Sequence, residues 1–505
     1  MFDSPPTLLL GTVDKFAQLP WKAESGRFFG FRSTNDGGIH DQRICPPELI
    51  IQDELHLIAG PLGTMVGLYE TLVQELCKNF GRKEYPFTCE EFIAPKIVAS
   101  SATISRAFEQ VQSLYGIKNR DQLNIFPSQG IRFGDTWFSE EKSIYEKDEN
   151  GKQKYPGRKY VGILASGYPS SQTAIVRAYA AVLQKAKELS LESEESILDY
   201  YWTLLGYFNS IRELGGASSL VFGDVVERLG QIHNRELLRK DKRRYINRSK
   251  VQELTSRISS SDIPATLKKL EASFRRNNNP SIDVCLATNM VATGVDISRL
   301  GLMFIHGQPK TTAEYIQASS RVGRELPSGP GLVITLYSPS KPRDKSQYEQ
   351  FQGYHSRIYS NVEPTSVTPF SVNAREKALH ALMIAYVRHF SGDNMLKRAD
   401  LTGRFDSLIE SVKEIINRRC EIIDPNESEK TQELFEERVN FWRGKGLQHY
   451  GDMANYGAMN NEGYFPIMYS TGAEVPLEVK NAGCFPTPMT MRGVDTESVF
   501  TITAE

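Results

Sequence analysis

A short apolar run, Glu48-Leu49-Ile50-Ile51, leads through Gln52 straight into Asp53, Glu54, Leu55 and His56. Two adjacent carboxylates at the end of an apolar strand require a fold that buries the run yet leaves its last residues open to solvent. A parallel sheet does this, because the carboxyl ends of its strands open onto a crevice. Similar strand-like runs occur at 7–11, 96–99, 201–207, 283–287, 302–305 and 332–337, and helical spacing of apolar residues fills 64–79, 106–115 and 171–189 between them. Strand alternating with helix predicts an α/β protein whose sheets are covered on both faces. Beyond about Pro342 the pattern turns to helices, at 374–390, 405–419 and 428–442, and residues 446–505, rich in Gly, Met and aromatics, receive no assignment.

A chain of 505 residues exceeds what one hydrophobic core supports. Domains are expected at 1–140, 141–345 and 346–505, with a basic helical insertion near 225–280. The net charge of −1 excludes a surface coated in positive potential, so any nucleic-acid contact must be regional. The main basic tract runs from Asn234 to Lys250 and has two readings: its cations track a nucleic-acid backbone while the interleaved Tyr245 stacks on a base, or it is a solvated basic helix, since Glu236 and Asp241 break the run. The six cysteines form no CxxC pair, which argues against a zinc site or a disulfide framework. No apolar run is long enough to span a bilayer and no secretory leader pattern opens the chain, so a cytoplasmic location without a membrane partner is expected.

Three segments carry chemistry. Hydrolysis of ATP needs Mg2+ near the terminal phosphates and a base for the attacking water, roles that suit Asp53 and Glu54 in turn. His56, two residues on, is placed to couple the γ-phosphate to Ser101 and Thr103, which follow the strand-like run 96–99. Far downstream, Gln317, Arg321 and Arg324 are expected on one face of one helix, where the guanidinium groups act as arginine fingers. Between them, Ala287 to Ile297 is rich in hydroxyls and glycine after a strand, so backbone near Gly294 can approach phosphate and Asp296 can bond a ribose or orient a finger. Alone, the first segment reads more readily as a polar strand end and the two arginines as a solvated basic face, while Gly294 reads equally well as a tight turn; their order along one chain favours the functional reading.

These segments resemble motifs II, III, V and VI of the superfamily 2 helicases. More narrowly, the strings GTVDKFA, QDELHLIAGPLGT, ATNMVATGVDISRLGLM and QPKTTAEYIQASSRVGR are similar to the helicase subunits of DISARM phage-defence systems. The resemblance implies two RecA-like parallel-sheet motor domains, the first incomplete, followed by a mainly helical C-terminal region. It further implies ATP and Mg2+ as cofactors, DNA and other defence-system subunits as partners, and phosphate contacts by Thr12, Thr255, Arg257 and Thr293. The sequence departs from the family pattern at Val13, where Pro is usual, and at Ser320, where many relatives have Gly. The larger departure is that no GxxxxGK[ST] occurs anywhere in the chain. The chain is therefore expected to be the later portion of a helicase, or a split subunit whose phosphate loop comes on another polypeptide. A non-hydrolysing DNA-binding scaffold and an RNA helicase stay open as alternatives, since these motifs do not separate DNA from RNA.

Overall fold

The computed structural model describes residues 2, 4–31, 45–78, 94–101, 104–288, 296–324, 329–391, 398–451, 465–471 and 477–491, less short breaks at 129, 132–134, 139, 141, 144, 152, 156, 168–169, 193–194, 237–241, 256, 260, 278, 403–404 and 482. It forms two compact units, residues 1–125 together with 364–505, and residues 126–363.

In the first unit, β1 (Leu49–Gln52) pairs in parallel with β2 (Lys96–Ala99), Leu49 opposite Lys96 and Gln52 opposite Ala99. Helix α1 (Gly60–Cys77) connects them, with a proline in its first turn, where the missing N–H forfeits no intrahelical bond. Every residue from Gly63 to Val73 is buried, polar Thr64, Glu70 and Thr71 included, so it is a central helix. Helix α2 (Ala107–Tyr115) follows β2 and packs on α1. The strand expected at Thr7–Gly11 does not form. Leu8 and Leu10 are 69% and 84% exposed, and the chain passes directly into a 3-10 turn at Val13–Gln18.

The second unit contains β3 (Arg158–Leu164), α3 (Ser171–Glu192), α4 (Glu195–Trp202), β4 (Leu204–Phe208), α5 (Ile211–Phe222) and α6 (Asp224–Arg235). It continues through β5 (Val251–Leu254), α7 (Ile263–Glu271), β6 (Val284–Ala287), β7 (Leu302–His306), α8 (Thr312–Ser319), β8 (Gly331–Tyr337), α9 (Pro342–Glu349) and α10 (Phe351–Ser356). Six strands form one parallel sheet in the order β3-β8-β7-β4-β6-β5. Side chains alternate across it, as the strand period of two demands. Leu204 and Phe208 enter the core beneath α3, α5 and α6, whereas Leu205 and Tyr207 enter the core beneath α7 and α8. The strand expected at 201–207 starts later, because α4 runs through Trp202, whose indole N–H is tied to Asp283 Oδ1 at 3.1 Å. The basic stretch near 225–280 is no insertion: it contains β5, the edge strand of the sheet, with Val251 and Leu254 buried at its ends.

The rest of the first unit is α11 (Val372–Phe390), α12 (Phe405–Ile423) and α13 (Ser428–Lys445), followed by a parallel pair of short strands, β9 (Met468–Ser470) and β10 (Phe485–Thr487). The mainly helical C-terminal region is present, but it does not stand apart as an accessory body. Its Leu379, Leu382, Ile416 and Trp442 share one core with Leu68 and Leu72 of α1. The unassigned tail takes part as well, since Gln18 Nε2 donates to Met489 O at 3.1 Å and Asp14 Oδ1 accepts from the Thr490 hydroxyl at 2.8 Å. Among the described residues no helix is long and apolar enough to cross a membrane.

Candidate active site

In the first unit the two parallel strands end side by side, and the chain after each is clasped to the other. Ser100 N–H donates to Gln52 O at 2.9 Å and Leu55 N–H to Ser100 O at 2.8 Å. Asp53, exposed at the carboxyl end of β1, accepts on Oδ1 from the Glu54 N–H at 3.0 Å and from the Ser100 hydroxyl. Glu54 has φ 52° and ψ 52°, left-handed backbone that costs a residue with a Cβ about 1–2 kcal/mol. Strain of this kind persists where the surroundings enforce it, and such positions cluster at functional sites. Buried His56 places Nδ1 3.1 Å from Ser101 Oγ and 3.3 Å from Glu54 Oε2. Asp53, Glu54, His56 and Ser101 are thus brought together; Thr103 lies outside the described residues. Thr12 is exposed ahead of the first 3-10 turn and makes no side-chain capping bond there.

In the second unit, the segments expected to contact ligands follow the carboxyl ends of β5, β6 and β7. Thr255 is 1% exposed and its hydroxyl accepts from Arg257 N–H at 3.3 Å, so of this pair only Arg257 faces solvent. Thr293 and Gly294 lie outside the described residues. Asp296 forms an ion pair with Arg324, whose Nε also donates to Ser320 O at 3.1 Å.

The expectation that Gln317, Arg321 and Arg324 share one helical face is corrected. Helix α8 ends at Ser319, so Gln317 is helical and buried, whereas Arg321 sits in the following turn and Arg324 beyond it. The cause is a close approach of backbone. Gly323 has φ 77°, its N–H donates to Leu300 O at 2.9 Å, and a Cβ there would lie 2.9 Å from Gly331 Cα. Arg158 of β3 then takes the carbonyls left over past the helix end, donating to Val322 O at 2.7 Å and Ser320 O at 3.2 Å.

Several supporting residues escaped the sequence reading. Gln110 of α2, 2% exposed, donates from Nε2 to Leu55 O and Ile58 O, both at 3.1 Å, and so pins the loop that carries Glu54 and His56. Glu363 accepts from Thr312 N–H at 2.8 Å at the start of α8, and Tyr207 donates to Glu314 at 2.6 Å. Buried His306 at the end of β7 lies 2.6 Å from the Tyr179 hydroxyl, and burial lowers its pKa to about 3. None of these has a local sequence signal, because each partner comes from a distant element.

Residues 205–325 match the helicase conserved C-terminal domain, a span that opens in β4 and closes just past Arg324. The chain carries a helicase C-terminal domain. In particular, it is 40% identical over 473 residues to the DISARM protein DrmA of Bacillus paralicheniformis, a match that covers 88% of this chain and 40% of DrmA. The chain accordingly spans about 40% of the length of that relative. It is also 26% identical over 200 residues to nucleolar RNA helicase 2 of Mus musculus, covering 35% of this chain and 22% of that protein. A crystal structure of the DUF1998 helicase MrfA bound to DNA and AMPPNP aligns with a TM-score of 0.45 at 16% identity, covering 80% of this chain and 43% of MrfA.

Proposed function

We propose that this chain supplies the strand-end chemistry of an ATP-driven motor that moves on single-stranded nucleic acid, DNA in the first instance, in phage defence. The observation that carries the reading is the seating of Asp53 and Glu54 at the carboxyl end of a parallel strand, with His56 within reach of both Glu54 and Ser101. Asp53 suits Mg2+, a hard cation that takes one carboxylate and completes its shell with water and phosphate oxygens. When bound, Mg2+ would neutralise charge on the phosphates of ATP. Glu54 orients the attacking water and accepts its proton, and His56 passes the state of that carboxylate to Ser101. Arg321 and Arg324 act on phosphate charge, with Asp296 holding Arg324 in place; Gly294 serves the nucleotide, and Thr12, Arg257 and Thr293 follow the nucleic-acid backbone.

The phosphate cradle would come from a polypeptide bearing GxxxxGK[ST], since this sequence has none. The exposure of Leu49, Ile51 and Val98, at 52%, 64% and 45%, supports that reading, because a two-stranded sheet with bare apolar side chains needs further cover. The test is phosphate release by this chain together with such a polypeptide. Glu54→Gln should keep nucleotide binding and stop release, and ordinary release by that variant removes Glu54 from its role. The 505-residue chain alone should bind single-stranded DNA in a salt-sensitive way and turn over negligible ATP. Robust turnover by the chain alone overturns the shared cradle. Strand binding with no turnover in either preparation favours the scaffold reading.

A further inference from the structure

At the end of the six-stranded sheet opposite the motif-bearing loops, the residues just before β4, β5 and β6 enclose a cavity of about 640 Å3 lined by Trp202, Tyr245, Asn247, Arg248, Lys250 and Asp283. The three strands start in register, Leu204 and Val251 both opposite Val284, so these residues form one continuous wall. With strands of four or five residues rising about 3.3 Å each, the wall stands roughly 15 Å from the carboxyl-end loops. It is a separate place on the unit.

The floor of the cavity is rigid. Arg244, fully buried, lies with Cζ 3.3 Å from the centroid of the Trp202 ring and bonds Asp283 Oδ1 at 2.8 Å. The Asp283 carboxylate also accepts from the Trp202 indole at 3.1 Å and from Asn247 N–H at 3.4 Å, so the one carboxylate of the wall is engaged from within. Arg248 and Lys250 therefore line the opening without an uncommitted acid among the lining residues. Tyr245 is 61% exposed, although its ring is held by Arg243, whose Cζ lies 4.8 Å from the ring centroid. A planar aromatic face open to solvent, stiffened by one arginine and flanked by two further cations, matches a nucleotide of a single strand, base on ring and phosphate on cations. A duplex, with its bases stacked on one another, offers no such face.

We infer that this cavity is a second single-strand site, in which Tyr245 stacks on a base while Arg248 and Lys250 hold the adjoining phosphates. The inference rests on the reading that the chain engages single-stranded nucleic acid, but on none of the carboxyl-end contacts. Fluorescence anisotropy of labelled oligothymidylate, titrated with the full chain over a salt series, tests it. Tyr245→Ala should weaken binding about tenfold and Tyr245→Trp should restore it, in keeping with the value of one base stacked on an aromatic ring. Arg248→Gln should lower the slope of log affinity against log salt by about one. Photocrosslinking of a bromodeoxyuridine strand should label the peptide that contains Tyr245. Oligouridylate run in parallel names the strand: dependence on Tyr245 with only one of the two polymers identifies it as the occupant. If Tyr245→Ala binds within about twofold of the parent while Arg257→Ala is impaired, the cavity is not a strand site and the carboxyl-end reading stands. The reverse pattern keeps the cavity and removes the carboxyl-end contacts, and absence of binding by the parent removes both.

Discussion

Glu54 holds its carboxylate at the cost of left-handed backbone, and that cost can be measured. The residue sits at φ 52° and ψ 52°, and a Cβ in this region is penalised by about 1–2 kcal/mol. Glu54→Gly removes the penalty, but it also gives the unfolded chain more freedom to lose, worth roughly 0.4–1 kcal/mol. Glu54→Ala removes the same carboxylate and the same contact to His56 while keeping the Cβ, so the difference between the two variants isolates the backbone. Glycine should win by about 0.5–1 kcal/mol, whereas at an ordinary position alanine wins by a similar amount; the sign is the signal. Because the chain has two units, a single melting curve mixes them. Hydrogen exchange of the α1 amides under rising urea reports opening of the unit that contains Glu54. If the Glu54→Ala chain proves as stable as the Glu54→Gly chain or more so, residue 54 is not held in left-handed geometry, and the loop does not present its carboxylate as described.

Two further expectations follow from buried polar groups. Gln110→Leu leaves Ile58 O without the side-chain donor while Leu55 O keeps the Ile58 N–H at 2.9 Å, so the loss should be about 1–3 kcal/mol in urea unfolding, and an unchanged midpoint would show that Gln110 does not pin the loop. His306 is held neutral by burial, with its pKa lowered from 6.5 to about 3, so the unfolded chain binds a proton there that the folded chain refuses. Its contribution is whole above about pH 6.5 and is lost as pH falls toward 3, at up to about 1.4 kcal/mol per pH unit. His380 and His389 are lowered in the same sense in the other unit. Removing one of the three by His306→Asn should flatten the fall in stability of the second unit between pH 7 and 5, measured by hydrogen exchange of the sheet amides. A slope equal to the parent's refutes the assignment.

What the sequence reveals here depends on how local its cause is. Strands β6, β7 and β8 are buried on both faces and read as near-continuous apolar runs, so they stand almost where periodicity places them. The acids after β1 are equally plain, because the strand and the carboxylates are adjacent in the chain. Strand β5 hides because its middle residues, Gln252 and Glu253, are polar and it follows a basic tract; only its pairing with β6 makes it a strand. The end of α8 is invisible for a related reason. Nothing in Ala318 to Arg324 breaks a helix firmly except Gly323, and that glycine matters only because Gly331 comes back against it.

The helices after residue 364 show how far such causes can reach. They read as a separate region because the residues from Phe126 to Glu363 come between and form a unit with its own sheet, yet loop closure across a long insertion adds little entropy cost, so packing decides where they go. Packing sends α11 onto α1 and α12 onto α2, where Arg419 Nη2 donates to Leu114 O at 2.8 Å and Nη1 bonds the Tyr115 carbonyl. Gly116, at φ 66°, leaves room for that guanidinium, since a Cβ there would fall on it. The same short helix α2 carries Gln110 into the loop of Glu54 and His56. A continuous set of hydrogen bonds and packed helices therefore runs from α12 through α2 to the strained residue at the strand end. The C-terminal helices are part of the structure that holds Glu54 in its left-handed conformation, which is why the geometry of the segment from Asp53 to His56 cannot be derived from its own residues.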